Sequence, residues 1–273
     1  MYCTDYHLHT LISSDSPATL EQQARSAIRA GLQEICVTDH WNLLDQMAQP
    51  LPHTRDWTES ISQIHQVRQL LGPELSIRLG IEVGNGEIDP DGIRDGLTQA
   101  GEELDFVIGS LHNTSLAFGG LGIYSAARRC QHVEEGIALL DDYVDTLNAL
   151  AATDTFDVLG HVVYPLRYLP AQWQLTLDPY EEQLRCLFRT IVESGRGIEF
   201  NTTQGSTIEE WTPVLKLYRD CGGEILTIGS DAHRPEHIGA GFADACGLLK
   251  ALGFRWNCTY RNRKPEFHPL EEL

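Results

Sequence analysis

The chain has 273 residues, 42% of them apolar, enough to bury the core of one large domain or two small ones. Its 39 acids outnumber 20 bases for a formal charge of −19, which argues against extended nucleic acid as a partner, since that needs many phosphate-neutralising cations. A small anionic substrate stays open, because bound metals reverse the field locally, while most of the carboxylates serve solubility.

A strand-type apolar run opens the chain at 2–6 and is followed by His7 and His9. Leu20, Ala24, Ala27 and Ile28 then share a helix face, with Thr19 and Gln22 as a capping box and Gly31 as a stop. A second run, 34–38, leads into Asp39 and His40. Residues 42–60, with Pro50 and Pro52, read as an insertion over one face. The third run, 76–81, ends on Glu82, and the fourth, 106–108, precedes His112. A second, glycine-rich insertion at 113–127 comes before a long helical stripe of Val133, Ile137, Leu140, Val144 and Leu147. The fifth run, 157–159, precedes His161. Another stripe, Leu184, Leu187, Phe188 and Ile191, is closed by Gly195, and the sixth run, 197–200, is closed by Asn201. Thr212-Pro213 reads as a cap with proline at the first helical position, and Gly222-Gly223 as that helix's end. The seventh run, 225–228, leads to Asp231 and His233.

Strands alternating with helices predict a parallel sheet, and seven such units predict an α/β barrel. No linker or low-complexity block divides the chain, so residues 1–273 read as a single domain. Function in such a barrel gathers at the C-terminal strand ends. Every predicted strand here delivers a polar group to that end, and ligands from many segments converging on one mouth suit a multinuclear metal hydrolase. Asp5 and Asp39 precede ligands within their motifs and suit orientation of an imidazole better than coordination, against the alternative of a buried cap or salt bridge. His53, His65, His132 and His268 lack the strand-end context and read as surface residues; His237, beside the last motif, stays open. The seven cysteines are odd in number and scattered without Cys-x-x-Cys, and no signal peptide precedes them. They read as reduced thiols of a cytoplasmic protein, and no apolar stretch is long enough to span a bilayer.

The motifs Asp5-Tyr6-His7-Leu8-His9-Thr10, Thr38-Asp39-His40, Gly109-Ser110-Leu111-His112, Gly160-His161 and Gly229-Ser230-Asp231-Ala232-His233 together resemble the polymerase and histidinol phosphatase (PHP) superfamily. Ser13-Ser14-Asp15-Ser16, residues 239–242 and the tail Tyr260-Arg261-Asn262-Arg263-Lys264-Pro265 point within it to the histidinol-phosphate phosphatase branch, and so to histidine biosynthesis. The resemblance implies a distorted seven-stranded (β/α)7 TIM-like barrel, with up to three divalent metals at the C-terminal ends of its strands. By position His7, His9, Glu82 and Asp231 would hold the first metal. Glu82 would bridge to a second held by His112 and His161, and Asp15, His40 and His233 would hold the third. Position 15 carries histidine in several related proteins; aspartate there still suits zinc, manganese or iron.

The implied reaction is hydrolysis of a small phosphomonoester, histidinol phosphate or a related metabolite, by a metal-activated hydroxide. Rate enhancement for such esters reaches roughly 10²¹-fold, far beyond the roughly 10²–10⁴-fold of a lone general base. Glu82, Asp231, His233 and His40 are the residues assigned to catalysis. Arg167, Arg234 and Asn201 are assigned to substrate, the arginines for bidentate contact with phosphate. The histidinol phosphatase branch usually carries another arginine after the sixth strand, where this chain reads Asn201-Thr202-Thr203-Gln204-Gly205-Ser206. A related phosphomonoester, or a differently built clamp, would fit the same metals. The alternatives are a PHP-type nuclease or nucleotide phosphoesterase, an amidohydrolase and a non-catalytic metal-binding barrel. Acidity weighs against the first on long polymers. An amidohydrolase often uses a carboxylated lysine as bridge, and none of Lys216, Lys250 and Lys264 ends a strand. A degenerate barrel should have lost ligands, and this chain has the full set.

Overall fold

Short, fully buried strands alternate with amphipathic helices through most of the chain, in a computed structural model that describes residues 1–270. In chain order the elements are β1 (Thr4–Leu8), α1 (Leu20–Arg29), β2 (Glu34–Val37), β3 (His40–Asn42), α2 (Thr58–Leu71), β4 (Ser76–Gly84), α3 (Pro90–Gln99), β5 (Leu104–Ser110) and α4 (Ile123–Arg129). There follow α5 (Val133–Ala151), β6 (Val158–Leu159), α6 (Glu181–Glu193), β7 (Gly197–Asn201), α7 (Trp211–Asp220), β8 (Leu226–Gly229), α8 (Phe242–Ala251), β9 (Trp256–Arg261) and β10 (Lys264–Pro269).

Strands pair in parallel in the order β1-β2-β4-β5-β6-β7-β8, the seven-stranded path expected, with β3 pairing beside β4. The ends of the path meet: His9 N–H donates to the Ala232 carbonyl and Asp231 N–H to the His7 carbonyl, both at 2.9 Å. The result is a nearly closed barrel of parallel strands wrapped by helices. Because both faces of such strands are covered, they read as continuous apolar runs rather than alternating ones. Among the described residues no helix is long and apolar enough to cross a membrane.

Several expected boundaries move. β1 runs to Leu8, so His7 lies within the strand, where the pairing register with β2 shifts between Asp5 and Leu8. β4 continues to Gly84 because β3 pairs with it, His40 opposite Glu82, so Glu82 is inside the strand and not at its end. The first insertion therefore starts on the last residue of β3, and the second ends within α4. They pack together: Asn113 Nδ2 donates to the Asp45 carbonyl at 2.7 Å and Gly122 N–H to that of Gln46 at 3.1 Å. The capping box of α1 forms as expected. α7 starts one residue before the expected Thr212-Pro213 cap, because buried Trp211 anchors the first turn through Nε1–H to the Asn201 carbonyl at 2.8 Å. On α5 Ile137 is exposed; the buried stripe begins at Gly136, whose missing side chain admits Trp173 and Leu175.

The C-terminal hairpin β9–β10 is not foreseen in the repeating pattern. Its two-residue turn, Asn262-Arg263, takes positive φ at both positions, the geometry that matches strand twist. Tyr260 of β9 joins Tyr6, Cys36, Phe106, Ile108 and Val158 in a cluster drawn from four barrel strands, which fills the lower interior. Arg263 Nε pairs with Asp157 at 2.6 Å and Asn257 Nδ2 donates to Thr4 Oγ1 at 3.0 Å. The hairpin thus seals the N-terminal end of the barrel and leaves the other end open.

Candidate metal centre

Glu82 is the hub of that open end. It is fully buried; its Oε1 lies 3.0 Å from His112 Nε2 and 2.9 Å from His161 Nε2. Its Oε2 lies 2.7 Å from His40 Nδ1, 3.4 Å from His7 Nε2 and 3.8 Å from His9 Nε2. Asp231 Oδ1 sits 3.5 Å from His7 Nε2, 3.3 Å from His9 Nε2 and 3.7 Å from His233 Nδ1. Asp15, on the loop after β1, reaches His40 Nε2 at 3.3 Å and His233 Nε2 at 3.4 Å. All nine candidate ligands therefore share one cluster at the mouth, although they come from six strands, or the residues just after them, and a loop.

The donor set fits divalent metal. His7 Nε2, His9 Nε2 and Glu82 Oε2 are buried, lack a hydrogen-bond partner among the described residues, and lie within 4.8 Å of one another. Buried polar atoms are rarely left so, because each costs about 1–3 kcal/mol unpaired. Two further triads, His40–Glu82–His112 and His9–His40–His233, have the same spacing. His9 and His40 thus each stand between two groups.

Electrostatics reflect this crowding. Burial pushes the Glu82 carboxyl up, but His112, His7 and His40 hold it well below its ordinary value. Asp231 is likewise held low, by His7, His9 and Arg167 against burial. Burial pulls His7 down, yet Glu199, Glu82 and Asp231 raise it well above the usual imidazole range. His9 is lowered well below it by burial and by neighbouring His40. A group of imidazoles that must share protons with two carboxylates is what a metal, which replaces protons, resolves.

Surrounding residues fix the rings. Ser13 Oγ is 3.1 Å from His9 Nδ1 and donates to Asp39 Oδ1 at 2.7 Å, and Asn42 Oδ1 is 2.8 Å from His112 Nδ1. Ser110 Oγ donates to Glu82 Oε1 at 2.7 Å. An added Cβ at Gly84 would collide with Asn42 Oδ1 and crowd His112, so that glycine leaves room for the pair. The two acids expected to orient imidazoles act otherwise. Asp5 accepts from Ser230 N and Gly239 N, holding the last motif's backbone, and Asp39 accepts from Thr10 N, Thr10 Oγ1 and Ser13 Oγ. Neither touches a ring directly; Asp39 is connected to His9 only through Ser13 Oγ. The direct carboxylate is Glu199, unsuspected in the sequence reading: its Oε1 is 2.5 Å from His7 Nδ1 and its Oε2 accepts from His161 N at 2.8 Å. Its only signal is position, two residues before Asn201 and so on the same face of β7.

Of the residues assigned to substrate, Arg167 and Asn201 join the cluster. Arg167 donates to Asn201 Oδ1 at 2.9 Å, lies 3.3 Å from Asp231 Oδ2 and covers the Tyr164 ring at 5.2 Å. Its Nε is buried without a partner among the described residues. Arg234 is exposed; its carbonyl accepts from His237 N–H at 3.0 Å, and its side chain stays outside the cluster. The remaining histidines stand apart as expected: His53 pairs with Asp89, His65 with Glu103, His132 caps α5 and His268 stacks on Tyr2. His237 lies outside the cluster as well.

Comparison with known proteins places the chain among relatives. A Deinococcus radiodurans protein described as a probable histidinol-phosphatase is 28% identical over 95% of this chain and 97% of its own. The histidinol-phosphatase of Lactococcus lactis is 24% identical over 95% of both chains. The crystal structure of histidinol phosphate phosphatase from Lactococcus lactis, complexed with zinc, L-histidinol and phosphate, shares the fold with a TM-score of 0.80 at 22% identity, covering 97% of this chain and 99% of that one. Residues 5–203 match the PHP domain, and the chain belongs to that family.

Proposed function

We propose that this protein is a metal-dependent phosphatase that hydrolyses a small phosphomonoester, histidinol phosphate or a close relative of it. The observation that carries the reading is the buried Glu82 hub with its orphaned Oε2 beside the orphaned Nε2 atoms of His7 and His9. Histidinol phosphate is favoured by the relatives named histidinol-phosphatase that align along nearly the whole chain. That coverage also supports treating residues 1–273 as one phosphoesterase domain, and the seven free cysteines suit the cytoplasm.

The reading assigns His7, His9, Glu82 and Asp231 to one metal, Glu82, His112 and His161 to a second, and Asp15, His40 and His233 to a third. Two to three ions of zinc, manganese or iron would fill these sites, and zinc is supported by the Lactococcus lactis complex. When bound, they lower the pKa of water and neutralise phosphoryl charge. The chain's own part is to hold that charge in place. Glu82 and Asp231, kept ionised by their histidines, bind metal without surrendering a proton. Arg167, braced on Asn201 and Asp231, is positioned to orient a phosphoryl oxygen. Arg234, exposed beside His233, is proposed as a second contact at the rim, in place of the arginine lacking from residues 201–206.

A phosphate-release panel with histidinol phosphate, nucleotides, sugar phosphates and short single-stranded DNA, run with each metal, tests the reading. Histidinol phosphate or another small ester should be preferred. Preference for DNA would overturn it.

A further inference from the structure

We propose that Glu199 is a positioning residue that serves two metal ligands at once, setting the tautomer of His7 and the backbone of His161. The inference rests on the metal-centre reading above. Glu199 is fully buried in β7 and makes three contacts. Oε1 faces His7 Nδ1 at 2.5 Å and accepts from Asn201 Nδ2 at 3.1 Å, while Oε2 accepts from His161 N–H at 2.8 Å.

Two of those partners have no choice of role. A backbone N–H is always a donor. Asn201 must present its NH₂ to Glu199, because its Oδ1 already accepts from Arg167 at 2.9 Å and from Thr203 N at 2.9 Å, both obligatory donors. The third partner, His7 Nδ1, lies 2.5 Å from the oxygen that already accepts from Asn201, so the ring nitrogen is the donor there and carries the proton. With that proton held on Nδ1, Nε2, 3.4 Å from Glu82 and 3.5 Å from Asp231, is the nitrogen that would offer its lone pair once metal displaces the ring's second proton. Glu199 thereby makes His7 a ligand through Nε2. Through Oε2 it also holds the start of the segment bearing His161, whose Nε2 meets the opposite oxygen of Glu82. One carboxylate thus ties together ligands assigned to two different metals.

The donor count makes Glu199→Gln a sharp test, since the two side chains have nearly the same shape. A glutamine has one acceptor oxygen and one NH₂. If its oxygen faces His161 N–H, its NH₂ meets His7 Nδ1 and moves that ring's proton to Nε2, where metal would bind. If its oxygen faces His7, its NH₂ opposes the buried His161 N–H. Neither orientation satisfies all three partners.

Glu199→Gln should therefore keep its circular dichroism spectrum yet bind zinc about 10–100-fold more weakly in competition with a chromogenic chelator. Excess zinc should restore most of its phosphate release. A variant whose metal-free form melts earlier but whose zinc affinity is unchanged would show a merely structural role and overturn the inference. Should the variant not fold, ¹⁵N-resolved imidazole spectra of the zinc-loaded native protein decide. A proton on His7 Nδ1 supports the inference, and a proton on Nε2 overturns it. If the native protein itself binds no metal, the metal-centre reading falls, an outcome distinct from native binding with an indifferent Glu199.

Discussion

The two ends of the barrel bury polar groups in opposite ways. At the N-terminal end every buried acid faces donors: Glu34 accepts from Tyr6 OH at 2.5 Å, Ser76 Oγ at 2.7 Å and Arg78 Nε at 3.0 Å. Asp157 meets Arg263 at 2.6 Å and Val107 N at 2.8 Å, and Asp105 accepts from Asn262 N at 3.1 Å. At the C-terminal mouth, imidazole nitrogens and carboxylate oxygens crowd around Glu82, with His7 Nε2, His9 Nε2 and Glu82 Oε2 left without a hydrogen-bond partner among the described residues. Both ends bury carboxylates, but the closed end surrounds them with Tyr, Ser, Arg and backbone donors and the mouth with histidines. A closed end uses them to cancel charge within the protein, whereas the mouth holds its charges apart for something the chain does not supply. The hairpin β9–β10 makes the first end closed by bringing Tyr260, Asn262 and Arg263 to it.

The contrast breaks most sharply at Glu82. Glu82→Gln should lower phosphate release by roughly 10³-fold or more while the fold survives, because it removes a ligand that reaches histidines on both sides. Retained activity would exclude it as the bridge, and elemental analysis of the native protein should find two to three metals per chain. Next in size is removal of metal. A ligand present at a hundred times its Kd stabilises by about 2.7 kcal/mol, so chelation should lower the melting temperature by roughly 5–10 °C. An unchanged melting curve would mean the mouth is satisfied without metal.

The closed end should answer in stability and not in activity. Arg263→Ala strips Asp157 of its cation and should cost about 1–3 kcal/mol by denaturant unfolding, with kcat unchanged. A fall in kcat would show that the two ends are coupled.

The smallest effect is one of pH. Burial pulls His40 down from its ordinary 6.5, but Glu82 and Asp15 outweigh it and push it up to about 10. A raised folded value means that the pair's stability is fully present below pH 6.5 and lost as pH rises through 10. The metal-free protein should thus lose stability across that window in calorimetry. Metal affinity should rise across it, since metal must displace the same proton. Affinity that falls with pH would remove His40 from the ligand set.

Much of this was legible without coordinates. Strand periodicity, the helix caps and the polar residue after each apolar run follow from local chemistry, so the barrel and eight of its candidate ligands could be read from neighbours in the chain, whereas Asp15 and the grouping of ligands by metal came only with the family resemblance. Short-range motifs such as His7-Leu8-His9 and Asp231-Ala232-His233 carry their spacing with them. Other features depended on partners far away in sequence. Glu82 falls within β4 because β3 extends that strand, pairing His40 with Glu82 across a long separation in sequence. Asp5 and Asp39 turned to backbone and hydroxyl donors, since a short acid bonds what the tertiary fold brings within its reach. Glu199 was invisible as a ligand-holding acid, its meaning set by His7 at a separation of 192 residues. The sequence by itself determined the architecture and the chemistry of the mouth, because periodicity and residue type act locally. Only the tertiary structure decided which acid orients which ring and how the far end is sealed, because hydrogen bonds are chosen by proximity in space.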